Sequence, residues 1–135
     1  MDFAVAVIRL AQRLPTDDAG HLVRLQILRS GTAPAPNYGE AQSAESRSDF
    51  IHKVKIALKE LRETRVWLRI CLKAGLLPPE GLGPLLAECN ELIAIFIQSV
   101  NTARENDRRS RPARKPPHHG SRANTEPGTD RTDKT

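Results

Sequence analysis

The chain reads as all-α: an antiparallel up-down-up-down four-helix bundle followed by a disordered C-terminal tail. Three observations predict this. Apolar residues recur at helical spacing in four segments. Short breakers separate the segments, and short connections make successive helices antiparallel neighbours. Beyond residue 105 the periodicity stops, and from 107 to the end there is no Val, Ile, Leu, Met or aromatic residue. The domain reading is therefore residues 1–105 as the bundle and 106–135 as an Arg/Pro-rich tail that cannot bury enough surface to offset its ordering entropy.

The first helix is expected over about 2–14, with Phe3, Val7, Leu10 and Leu14 on one face and Pro15 ending it. Thr16-Asp17-Asp18-Ala19-Gly20 supplies a turn and a cap. The second segment runs from about His21 to Ala44 and contains a conflict: Gly31, Pro34 and Pro36 lie inside it. An interior proline loses a hydrogen bond and clashes with the preceding turn, at about 3 kcal/mol. Ala33 and Ala35, each before a proline, are pushed from helical geometry. A kink or short break near 31–36 is the expectation. The third helix runs from about Ser46 to Ala74, with Lys73 in its last turn and Gly75 just past its end. The fourth starts at Pro79 or, at latest, near Pro84, and continues to about Glu105. Its Leu92, Ile93, Ile95, Phe96, Ile97 and Val100 wrap most of its circumference, as in a helix buried on more than one side.

Charge is unevenly spread. The chain has 21 Lys+Arg against 16 Asp+Glu in 135 residues, a net of +5. Residues 104–135 hold nine basic and five acidic residues, so the tail carries +4 and the body +1. Two cysteines, Cys71 and Cys89, sit in apolar helical stretches and read as reduced, buried thiols of a cytoplasmic protein. Residues 3–11 are interrupted by Arg9 and form an amphipathic helix instead of a secretory signal. No stretch has the length to span a bilayer, so no membrane association is expected.

The central run is Arg29-Ser-Gly-Thr-Ala-Pro-Ala-Pro-Asn37-Tyr-Gly-Glu40-Ala, then Ser46-Arg-Ser-Asp49-Phe50-Ile-His-Lys53 and Ile56-Ala-Leu-Lys-Glu60-Leu-Arg-Glu63-Thr64-Arg65-Val-Trp67-Leu68. It resembles the ribosomal intervening-sequence protein family of small bacterial four-helix bundles. The likeness extends over roughly residues 3–104. Two prolines, at 34 and 36, depart from a family run that often has one or none. The resemblance implies a bundle without catalytic chemistry and a ring-shaped homo-pentamer. Asn37 and Glu40 match the polar pair of the family's Asn-x-x-Glu run. They lie one turn apart and read as a structural pair that satisfies backbone groups freed by the prolines; a polar site shared with Arg29 or His52 is the competing reading.

On a helical wheel the third helix shows Phe50, Val54, Ala57, Leu61, Leu68 and Leu72 as its core stripe. Lys55, Lys59, Arg62, Arg69 and Lys73 form a basic stripe, with Arg65 at its edge. With Arg108, Arg109 and Arg111 of the tail, these are the nucleic-acid-binding candidates, because cations at 3–4 spacing meet a phosphate backbone. The competing reading is a solvated face paired with Glu80, Glu88 and Glu91. Glu60 and Glu63 read as salt-bridged surface. Ile56, Val66, Trp67 and Ile70 fall on neither stripe and are the oligomer-interface candidates.

The chain has no catalytic triad, phosphate-binding glycine loop or HExxH, and His118 and His119 stand without further ligands. The expectation is a protein that is not an enzyme and uses no cofactor or metal. It is read as an oligomeric helical scaffold that binds RNA or DNA through basic surfaces, within a larger nucleoprotein machine. The second reading is a protein-interaction adaptor that never touches nucleic acid.

Overall fold

The computed structural model describes residues 2–112. Its helical segments are α1 (Asp2–Gln12), α2 (Asp18–Thr32), α3 (Pro34–Gln42), α4 (Arg47–Lys73) and α5 (Pro79–Ser110). Only Ala33 separates α2 from α3, so the two form one long helix and the fold is a four-helix bundle. No strand occurs among the described residues. The side-chain contacts run antiparallel: Arg29 meets Glu60 and Glu63, whereas Glu40, further along, meets Lys53. Likewise Arg65 meets Asn90, and Arg47 meets Ser110.

The ends of the helices follow from local chemistry. Asp17 caps α2 by accepting from the Gly20 N–H at 2.8 Å. Ser46 caps α4 by accepting from the Asp49 N–H at 3.0 Å. Gly75 has φ +66°, the left-handed conformation that a Schellman turn requires. There the Leu76 N–H donates to the Cys71 carbonyl at 3.0 Å and the Gly75 N–H to that of Leu72 at 3.3 Å. α5 opens with Pro79 in its first turn, the earlier of the two expected starts.

The core joins all four helices. Val7, Ile27, Val54, Ala57, Leu61, Leu68, Cys71 and Cys89 are fully enclosed, with Leu82, Ile93 and Phe96 beside them. Phe50, Trp67, Leu86 and Leu92 are partly buried against this cluster. Leu72 departs from the expected core stripe and is exposed. In the last turn of α4 the buried position passes to Cys71, and Leu77 closes the end of the core after the chain reverses. Thr64 fills the gap between Leu61 and Leu68 in that stripe. Its hydroxyl lies 2.9 Å from that of Ser30 and 2.8 Å from the Glu60 carbonyl, so both buried hydroxyls are satisfied.

The short break expected near 31–36 is a single residue, Ala33, with helix on both sides. Ala33 keeps helical dihedrals (φ −65°, ψ −34°), and Ala35 lies within α3. Two prolines remove two backbone donors, and the segment around them is closely packed. Pro34 and Gly31 are buried, and a Cβ on Gly31 would stand 2.5 Å from Val7 Cγ1. The Ala33 carbonyl accepts from the Asn37 N–H at 3.3 Å and from Asn37 Nδ2 at 2.9 Å.

The tail boundary shifts. α5 continues through Ser110, five residues beyond the expected end. Charges at i,i+4 sustain these turns after the apolar pattern ends: Arg109 pairs with Glu105 at 2.6 Å and Arg111 with Asp107 at 3.0 Å. Arg47 of α4 adds a contact of 2.8 Å to Ser110 Oγ. The remainder of the expected disordered tail, 113–135, lies outside the described residues.

Two predictions test this packing. Gly31→Ala should destabilise by roughly 1–3 kcal/mol despite alanine's better helix propensity, because the added methyl overpacks against Val7. Adding Val7→Ala should relieve part of that clash, so thermal melts of the double-mutant cycle should show coupling of about 0.5–3 kcal/mol; simple additivity would refute the close contact. The second concerns the thiols. Burial pushes Cys71 up, and burial pushes Cys89 up to about 11 against the pull of Arg65 and Arg69. Because the folded pKa of Cys89 exceeds its unfolded value, its contribution to stability is complete below the ordinary thiol range. It is lost as pH rises toward about 11. At about pH 8, iodoacetamide should modify both cysteines in denaturant and neither in the native protein; rapid native alkylation would contradict their burial.

Candidate nucleic-acid interface

α4 is a 27-residue helix whose opposite sides do different work. Side chains three and four apart share a face, and 18 residues make five complete turns. Lys55 and Lys73 therefore lie on one line, roughly 27 Å apart along the axis, with Lys59, Arg62 and Arg69 between them. All five are exposed. None forms a salt bridge among the described residues, and Glu80, Glu88 and Glu91 do not pair with them.

Two carboxylates of α4, Glu60 and Glu63, are engaged elsewhere. Arg29 of α2 reaches across to Glu60 at 3.3 Å and to Glu63, with Gln26 accepting a further bond from the same guanidinium at 3.3 Å. Glu60 and Glu63 are thus bridged, as expected, but by a neighbouring helix instead of the flanking cations. Arg65, at the edge of the stripe, donates to Asn90 Oδ1 at 3.3 Å. Lys53 belongs to a different side: it donates to Glu40 at 3.0 Å, and that hydrogen bond and charge raise its pKa. These pairings leave a row of cations without an anion partner among the described residues.

The other sequence candidates separate in space. Arg108, Arg109 and Arg111 lie at the end of the bundle where α4 begins, whereas Arg69 and Lys73 lie at its far end. Arg109 and Arg111 are paired; Arg108 flanks a shallow hollow with Arg104 and Asn101 and has no ion pair among the described residues. The four apolar interface candidates differ in exposure. Ile56 and Trp67 are half-buried, and Trp67 packs on the protein's own core. Val66 and Ile70 are 52% and 38% exposed. At about 100° per residue both lie beside the Lys55–Lys73 line, among the cations.

Asn37 and Glu40 serve separate partners. Asn37 supports the Ala33 carbonyl beside the prolines, whereas Glu40 binds Lys53. Arg29 engages α4, and His52 is exposed, so no joint site with either forms.

Sequence reading missed Arg24. Its guanidinium donates to the carbonyls of Ala11 at 3.1 Å, Leu14 at 2.9 Å and Pro15 at 3.0 Å, closing the C-terminal end of α1. No local motif marks this contact, because its partners are nine to thirteen residues away. A further feature follows from unequal helix lengths. α1 has 11 residues, and its first turn lies beside the start of α3, so beyond that turn α3 faces α5 without a fourth helix between them. A cleft of about 620 Å³ opens there, floored by Phe3, Leu92 and the stacked rings of Tyr38 and Phe96, 5.0 Å apart.

The comparisons with known proteins agree with this architecture. The family model described as 23S rRNA-intervening sequence protein matches residues 1–98. A crystal structure of a protein with unknown function from the S23 ribosomal protein family of Bacteroides thetaiotaomicron superposes with a TM-score of 0.69 at 34% identity. The match covers 73% of this chain and 92% of that one. Comparison with curated proteins found no match. The bundle, its central sequence run and the match across most of its length converge: this chain belongs to the family of 23S rRNA-intervening sequence proteins.

Proposed function

We propose that this chain is a non-enzymatic, homo-oligomeric scaffold of the cytoplasm that binds RNA or DNA along α4. The observation that carries the reading is the row of Lys55, Lys59, Arg62, Arg69 and Lys73, exposed and without a salt-bridge partner among the described residues. A solvated helix face ordinarily mixes signs; here Arg29 engages the neighbouring Glu60 and Glu63. Cations spaced along roughly 27 Å of helix suit a polyanion with regularly repeated phosphates, whose condensed counterions they release. The family's description names a 23S rRNA intervening sequence, which supports a ribonucleoprotein setting. Among the described residues, no helix is long and apolar enough to cross a membrane.

Self-association extends the same reading. A pentameric ring, implied by the family resemblance, would repeat the stripe and multiply phosphate contacts. Two surfaces could carry the contact. In the Ile56, Val66, Trp67 and Ile70 set, Trp67 packs partly against the protein's own core, and two copies meeting through Val66 and Ile70 would set cations against cations. Val5 and Ile8 on α1, Leu22 and Leu25 on α2, and Ile95 beside the α3–α5 cleft are exposed apolar residues away from the stripe.

Two measurements test these proposals. Binding of an RNA or DNA oligonucleotide should weaken steeply with salt. Changing Lys55, Lys59 and Arg62 together to Ala should reduce the slope of log K against log salt by about 2–3, similarly for different sequences. A wild-type protein without affinity at low salt would leave the adaptor as the better reading. Light scattering should give a mass above that of the monomer. Val5→Glu with Ile8→Glu should lower it, because a charge is costly to desolvate in an interface; a monomeric wild-type protein at micromolar concentration refutes the oligomer.

A further inference from the structure

We propose that the basic face of α4 is also the docking site for an acidic amphipathic helix of a protein partner, seated on Val66 and Ile70. The inference rests on the same stripe as the nucleic-acid reading and adds a competing occupant to it. Val66 and Ile70 are one turn apart and are 52% and 38% exposed. Lys59 and Arg62 precede Val66; Arg69 and Lys73 flank Ile70. All four cations are exposed and have no salt bridge among the described residues.

This combination has a specific chemistry. A phosphate backbone can neutralise the cations but offers no apolar surface to the aliphatic pair. A second copy meeting this face through the same residues brings like charges together. An acidic helix with aliphatic residues four apart and carboxylates along one side of them satisfies both requirements. Its aliphatic residues cover Val66 and Ile70, while its carboxylates meet Lys59, Arg62, Arg69 and Lys73. The chain's own Glu60 and Glu63 cannot substitute, because Arg29 engages them on the side facing α2. Charge complementarity would speed the encounter and fix register, and apolar burial would discriminate this partner from a simple polyanion. Since both occupants use Arg62 and Arg69, binding of the acidic helix would displace nucleic acid.

The test uses the full-length protein and two labelled synthetic helical peptides of identical acidic charge. One carries Leu at two positions four apart; the other carries Ser there. By fluorescence anisotropy at physiological salt, the Leu peptide should bind roughly tenfold tighter or more, as expected for covering two aliphatic side chains. Val66→Ser with Ile70→Ser should abolish this difference while leaving Ser-peptide binding and helical circular dichroism unchanged. Arg62→Ala with Arg69→Ala should weaken both peptides, and the Leu peptide should displace a labelled RNA oligonucleotide.

Equal affinities for the peptides, or a difference that survives the Ser variant, would overturn the docking site. A fall in oligomer mass on the Ser substitutions would instead place a second copy on this face. Equal weakening of RNA binding by those substitutions would assign the aliphatic pair to nucleic acid; either result also overturns the proposal. If RNA binds through the stripe but the peptides are not distinguished, only the docking inference fails. If the peptides are distinguished but no RNA binds at low salt, protein docking stands and both the nucleic-acid reading and the competition fail.

Discussion

The close meeting of α1, α2 and α4 around Gly31 and Ser30 holds the bundle together at its weakest point. Glycine lets Val7 approach the backbone of α2, where a larger residue would force the helices apart. One position earlier, the Ser30 hydroxyl meets Thr64 in a fully buried pair. These contacts immediately precede two prolines that remove helical donors. Packing therefore compensates for a local weakness, and Ala33 retains helical dihedrals where its sequence neighbours disfavour them. α1 and α4 pack on either side of the segment just before this interruption, and helix resumes at Pro34.

That same junction organises the electrostatics. Arg29 leaves α2 immediately before Ser30 and takes Glu60 and Glu63 of α4. The bond is an exposed one, of modest worth to stability, but it partitions the charges of α4. Glu60 and Glu63 turn toward α2, and Lys55, Lys59, Arg62, Arg69 and Lys73 have no ion-pair partner among the described residues. Local sequence mixes the two signs; helix packing sorts them. The proposed nucleic-acid surface and its competing protein partner both arise from this separation.

Much of the fold was legible in the chain. Asp17, Ser46, Gly75 and Pro79 mark helix boundaries through capping, left-handed geometry or proline placement, all determined within a few residues. Helical periodicity identified Val54, Ala57, Leu61 and Leu68 as core residues. It failed at Leu72, where the core ends, and could not anticipate Thr64 as a core residue because its hydroxyl needed the distant Ser30. The basic stripe was legible as a set of positions, whereas the freedom of its charges depended on Arg29 across the bundle. Val66 and Ile70 stand exposed, as their place off the core stripe implies, whereas Trp67 packs partly against the core, a contact that depends on the neighbouring helices.

The sequence by itself determined the all-helical class, the antiparallel order, most caps and the line of cations, because each depends on short-range periodicity or local backbone chemistry. Tertiary structure decided whether the proline segment broke, which carboxylates Arg29 withdrew, where Arg24 closed α1 and which apolar residues remained in water. Those outcomes depend on groups distant in the chain that meet only after the helices pack. A helical wheel gives a side chain its direction, but only the neighbouring helix determines whether that direction leads to a core, an opposite charge or solvent.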